Sequence, residues 1–149
     1  MCIRDRGEYD GLVMAAAGIE RLGLKEYITD YFDTEQMLPA PGQGAISVEF
    51  KKKNNELFDM LKNLNDDETS LCTYLERSFM NELGGGCNSP IGAYSFISNK
   101  KKKITGSILS LDGRQLYKQS LEEDINNDIN IDVGYPKGRC GQSSIDSKI

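Results

Sequence analysis

Histidine is absent from these 149 residues, which removes imidazole acid–base catalysis and any zinc site that mixes Cys with His. The cysteines number 4, namely Cys2, Cys72, Cys87 and Cys140, and no two stand as CxxC. A thiol-redox protein would want a resolving partner at that spacing, and no metal centre is expected. The spacing is not that of a small disulfide scaffold either, so a reducing compartment is the expectation. That means the cytoplasm, or a plastid if the source is a photosynthetic eukaryote. No apolar run approaches the length needed to span a bilayer. "MCIRDR" carries charge but no apolar stretch behind it, so no signal peptide is read there. Basic excess is missing too: Lys+Arg 18 against Asp+Glu 23 leaves a net charge of -5. Neither nucleic acid nor membrane is expected as a partner, although a local basic pocket for an anion stays open. Internal repeats are absent.

What is present suits a globular protein, with 38% hydrophobic and 28% charged residues in a length fit for one domain or two small ones. "YDGLVMAAAG" (Tyr9 to Gly18) reads as a buried strand turning into a helix at "IERLGL". "MLPAPGQG" is a Pro/Gly loop, and Ala45 to Phe50 alternates as a strand. A helix follows with Leu57, Leu61 and Leu64 on one face and Phe58 beside them. A second places Leu71, Leu75, Phe79 and Leu83 every four residues, with Tyr74 adjacent. Asn65 and Glu68 form a capping box at its start, and Gly84 is placed to close it. "IGAYSFI", "ITGSILSL" and "RQLYKQSL" are strands. A polar turn, "SNKKKK", joins the first two, and a two-residue hairpin at Asp112-Gly113 joins the others. The result is a three-stranded antiparallel meander with helices over one face, an α+β unit from about Asn54 onward. The tail "VGYPKGRCGQSSIDSKI" shows no periodicity and is read as disordered or non-native.

"LGGGCNSPIG" (Leu83 to Gly92) holds the candidate chemistry. Gly84 is explained as a helix terminator, whereas Gly85 and Gly86 would let a bulky group reach the sulfur of Cys87. On residue types alone, Cys87 is either a cysteine in a helix-capping loop or a reactive thiol. Cys72 lies on the helix and is read as packing. "PAPGQGA" fails GxGxxG because Ser47 stands at the third glycine. Arg21 follows a strand–glycine–helix junction, a place where α/β sheets bind ligands, and a guanidinium grips a carboxylate at two points. Glu20 and Arg77 are read as ordinary helix charges, with Glu76 and Arg77 able to pin the helix to a neighbour.

Three stretches, "GEYDGLVMAAAGIERLGL", "LPAPGQGAISVE" and "ERSFMNELGGGCNSPIGAYS", resemble the porphobilinogen deaminase family (hydroxymethylbilane synthases) in order and spacing, over roughly Gly7 to Leu121. Ser89 departs from the β-branched residue usual before the proline. The resemblance implies that Cys87 carries a dipyrromethane cofactor through a thioether. Gly85 and Gly86 would then let the tethered pyrroles lie beside the backbone. It implies that Arg21 binds the acetate and propionate groups of pyrroles, and that Gln43 and Gly44 line the cleft. The substrate would be porphobilinogen, joined stepwise with loss of ammonia into a linear tetrapyrrole. By similarity, 7–35 ends domain two, 36–50 is a strand returning to domain one, and 54–132 is the cofactor-bearing third domain. Residues 1–6 and 133–149 are then expected to be non-native or disordered, and the family's closing helix after Leu121 is not supplied by the tail. The family's catalytic aspartate lies in domain one, so no catalytic residue is assigned in this chain. The chain is expected to be a C-terminal fragment, inactive alone and prone to aggregate through uncovered apolar faces. The full-length form is expected to be a monomer. The alternative is a non-enzymatic small α+β binding module in which Cys87 is structural.

Overall fold

The computed structural model describes residues 6–51, 53–85 and 89–129. Two compact units divide the chain, 1–33 and 34–149. The expectations for the tail 133–149, for most of the leader, and for Gly86 and Cys87 fall outside the described residues.

The first unit contains helix α1 (Ala16–Arg21) and a 3-10 turn (Lys25–Tyr27). Residues 11–14, expected as a buried strand, form no strand, and Leu12, Val13 and Met14 are exposed. An extended segment needs a neighbour to take its backbone groups, and among the described residues none pairs with it. The helix also begins earlier than expected, at Ala16, so Gly18 lies inside it. Arg21 is therefore the last residue of α1, with its charge at the favourable C-terminal end of the helix. Glu20 accepts a hydrogen bond from the Tyr31 hydroxyl at 2.9 Å.

The second unit is the expected α+β body. Helices α2 (Asn55–Leu61) and α3 (Asp67–Glu82) precede strands β1 (Ile91–Ser98), β2 (Lys101–Leu109) and β3 (Leu116–Asp124). The strands form one antiparallel sheet in the order β1-β2-β3. Helix α3 covers one face. Its four-residue spacing buries Leu75 and Phe79 against Ile91, Ala93, Ile104 and Ile108, and Leu71, Met80, Leu83 and Leu121 pack around them. Each leucine, isoleucine or phenylalanine so buried contributes roughly 1.5–3 kcal/mol. Helix α2 fully buries none of its residues: Leu57 and Leu64 of the expected stripe are exposed and Leu61 is half-buried. Phe58 instead meets Phe50, with ring centroids 6.3 Å apart.

The helix ends follow local chemistry. Asn54 caps α2 by accepting from the Leu57 amide at 3.1 Å. The cap of α3 is Asp66, not Asn65: its carboxylate accepts from the Thr69 amide at 2.7 Å, while Asn65 bonds the Asp67 side chain. Both residues are good caps, and the ionised one has the advantage at a positive helix end. At the other end Gly84 takes φ +66°. Its amide reaches Asn81 O, and that of Gly85 reaches Met80 O, the paired bonds of a Schellman closure.

Both sheet turns differ from expectation: Lys101, Lys102 and Lys103, expected in the first turn, are strand residues of β2. Asn99 and Lys100 both have positive φ between the paired Ser98 and Lys101, which gives the two-residue reversal that suits strand twist. At Asp112-Gly113 the reversal is longer. Ser110 and Gln115 close it by the Ser110 N–H···O Gln115 bond, leaving four residues in the loop. Asp112 stabilises it by accepting from the Arg114 amide. The expected strand Ala45 to Phe50 does not form; Ile46 is 89% and Val48 61% exposed. Its alternation is that of a strand, but no sheet edge among the described residues receives it.

Candidate functional site

Residues 35–44 form a strap around the β1 side of the sheet. Lys118 Nζ donates to Glu35 O at 2.7 Å on the face away from α3. Leu38 then lies on Gly92, so close that a Cβ at Gly92 would sit 2.8 Å from its own Cβ. Pro39 O accepts the Ala93 amide at 2.9 Å, taking a donor of β1 that points away from β2. On the helix side the chain reverses at Ala40 to Gln43, closed by the Gln43 N–H···O Ala40 bond at 2.9 Å. Pro41 precedes Gly42 at φ +76°, the arrangement of a type II turn. Gly44 has φ +87°.

Glu76 fastens that turn. Its Oε2 accepts the Gly42 amide and its Oε1 the Ser95 amide, both at 2.7 Å. The residue is 7% exposed. A carboxylate can be buried when charge-assisted hydrogen bonds replace its water. The sequence reading gave Glu76 and Arg77 a loose pinning role; the structure gives the role to Glu76, while Arg77 is exposed. A signal was present: at 100° per residue, Glu76 falls between Leu83 and Met80, both of which pack against the core.

Among the sequence-derived site residues, Gln43 and Gly44 lie on this turn, with both residues exposed. Gly85 closes α3 and has a packing reason of its own, because a Cβ there would collide with Ile91 Cδ1. Gln43, Gly44 and Gly85 belong to the second unit and Arg21 to the first. Arg21 is exposed at the end of α1, where its guanidinium is accessible to a carboxylate. The structure thus joins α3 and the 40–44 turn through one buried side chain. Cys72, half-buried on α3, is held above the ordinary thiol range by burial and then by the charges of Glu68, Glu76 and Asp66. That environment suits packing and not nucleophilic attack. Among the described residues no cluster of three potential metal ligands occurs, and no helix is long and apolar enough to cross a membrane.

Comparison with known proteins places these features. Residues 3–59 match the family model described as "Porphobilinogen deaminase, dipyromethane cofactor binding domain", and residues 70–135 match "Porphobilinogen deaminase, C-terminal domain". The chain belongs to the porphobilinogen deaminase family. Arg21, Gln43 and Gly44 fall within the first match, and Glu76, Gly85 and Cys87 within the second. Porphobilinogen deaminase of Alkaliphilus metalliredigens is 44% identical over 116 residues, covering 78% of this chain and 37% of that protein. That of Clostridium acetobutylicum is 45% identical over 118 residues, covering 78% and 40%. That of Coxiella burnetii is 43% identical over 110 residues, covering 74% and 36%. The chain spans about two fifths of the length of these relatives.

Proposed function

We propose that this chain supplies the cofactor-bearing part of an enzyme that condenses porphobilinogen into the linear tetrapyrrole hydroxymethylbilane. The carrying observation is the pair of family matches in family order, with Cys87 in the second. Residues 7–35 would belong to domain two, 36–50 to the segment returning to domain one, and 54–132 to domain three.

The residues present fit a dipyrromethane bearing carboxylates. Arg21 offers an exposed guanidinium. The 40–44 turn places Gln43 and Gly44 at the surface, where backbone and amide can meet a planar ring. Cys87 would hold the group by a thioether, with Gly85 and Gly86 beside it; once bound, the group supplies the free pyrrole α-carbon on which the chain grows. For each added unit, the C–N bond of porphobilinogen's aminomethyl group breaks, a carbon–carbon bond forms, ammonia leaves, and the α-carbon gives up one proton. Arg21 would neutralise the acetate and propionate groups and hold each ring in register. No residue of this chain is proposed to move the proton. That role falls to the family's domain-one aspartate, so the chain alone should make no hydroxymethylbilane.

The test is co-expression of this chain with the upstream portion of the Alkaliphilus metalliredigens relative, followed by intact-mass measurement. A dipyrromethane adduct located on Cys87, absent from Cys87→Ser, is expected, together with colour in acidic Ehrlich reagent. A Cys87→Ser assembly that consumed porphobilinogen as well as the unaltered one would refute the proposal.

A further inference from the structure

Glu76 uses both carboxylate oxygens on backbone amides from two different segments, 34 and 19 residues away in sequence. One is the Gly42 amide, at the reversal point of the 40–44 turn. The other is the Ser95 amide, which points away from β2 at the free edge of β1. Among the described residues neither donor has a backbone acceptor, so a single side chain does what a further strand would otherwise do. We propose that Glu76 is a clasp that makes the 40–44 turn a fixed part of the α+β unit, so that Gln43 is presented from the same rigid body as α3. The value of this to ligand binding rests on the reading of Gln43 and Gly44 given above; the clasp itself does not.

The geometry says why one residue suffices. The strap ahead of the turn is held by Lys118 on Glu35 O and by Pro39 O on the Ala93 amide. After Gly44 the chain carries exposed Ile46 and Val48 and belongs to no element. Gly42 is thus the last amide tied to the helix–sheet body before the chain leaves it, and among the described residues its tie is Glu76. The Thr73 methyl lies nearby, 3.6 Å from where a Gly42 Cβ would stand. Gln cannot replace Glu here: its oxygen can accept one N–H, but its NH2 would face the other donor.

Amide hydrogen exchange on the full chain tests this, comparing wild type with Glu76→Gln. Exchange at Gly42 and Ser95 should accelerate roughly ten- to a hundredfold relative to Ile104, whose amide reports the sheet as a whole. If Gly42 accelerates no more than Ile104, the clasp is refuted, because Glu76 would then be only a part of general packing. Should Glu76→Gln fail to fold, the wild-type chain decides. A trans-hydrogen-bond coupling from the Gly42 nitrogen to the Glu76 side-chain carboxyl carbon supports the clasp, and its absence refutes it. Absence of a pyrrole adduct on Cys87 would overturn the proposed function and leave these exchange rates unaffected.

Discussion

The ring of Phe79 lies flat enough on the backbone of Gly106 that no side chain can come between them. A Cβ on Gly106 would stand within 2.6 Å of ring atom Cε1. The centre of the sheet is thin there so that α3 can seat its largest buried side chain between Ile104 and Ile108.

Gly106→Ala should therefore lower stability by roughly 1–3 kcal/mol, the range for overpacking a filled core. Chemical denaturation read by far-UV circular dichroism would show the shift. An unchanged midpoint would mean that the ring can slide aside without cost.

Ser95 points a hydroxyl into the protein beside this core, and its Oγ is buried without a hydrogen-bond partner among the described residues. An unpaired buried hydroxyl costs ~1–3 kcal/mol by mutational measures. Ser95→Ala removes it and leaves the backbone amide for Glu76. The thermal midpoint should stay level or rise; a clear fall would show that the hydroxyl has a partner.

Asp66 makes the start of α3 pH-sensitive. The Thr69 amide, and then its side chain, hold the Asp66 carboxyl below its ordinary value of 3.8. A lowered native pKa means that the unfolded state binds more protons in this window. The contribution is then complete above 3.8 and disappears as pH falls through the native value. Asp66→Asn keeps a capping oxygen but loses the charge. Its midpoint should lie below wild type near neutrality and converge with it as the pH falls below 3.8 and through the lowered native value. Parallel curves would contradict the assignment.

Cys72 behaves in the opposite sense. Burial first, and then Glu68, Glu76 and Asp66, raise its thiol pKa. The folded chain retains the proton longer than the unfolded chain. The associated stability is present below the ordinary thiol range and is lost as pH rises through the native value. Alkylation of Cys72 by iodoacetamide, followed by peptide mass, should show a rate profile displaced to higher pH than that of a short cysteine peptide. A profile matching the peptide would show an unperturbed thiol.

Much of the second unit was legible because its signals are short-range. Leu71, Leu75, Phe79 and Leu83 define one stripe, and the three strands sit between polar turns. The misses share a cause, which is that a partner elsewhere decides. Ala45 to Phe50 alternates as a strand should, yet pairing belongs to two segments and only one is among the described residues. The run before Ala16 failed for the same reason. Asp66 outcompeted Asn65 through its charge, a difference that a pattern treating both as caps does not see. At Asp112-Gly113 the dipeptide signalled a reversal correctly, but Ser110 and Asp112 stabilise a wider loop. Arg21, Gln43, Gly44 and the glycine–cysteine loop entered as expectations of the family resemblance. The pairing of Gly42 with Glu76 across 34 residues was not visible, since nothing in either neighbourhood names the other.

The strap also has a consequence for the order of assembly. The β1–β2 and β2–β3 ribbons close over a few residues, whereas the strap joins Glu35 to Lys118 across 83. Closing long loops carries the greater entropic cost, so the ribbons should zip first and the strap should settle last. For that interval the nascent sheet has a bare flank with two unspent donors, at Ala93 and Ser95. Pulse-labelled refolding should find Ile104 protected before either of them, and simultaneous protection would place the strap in the nucleus instead.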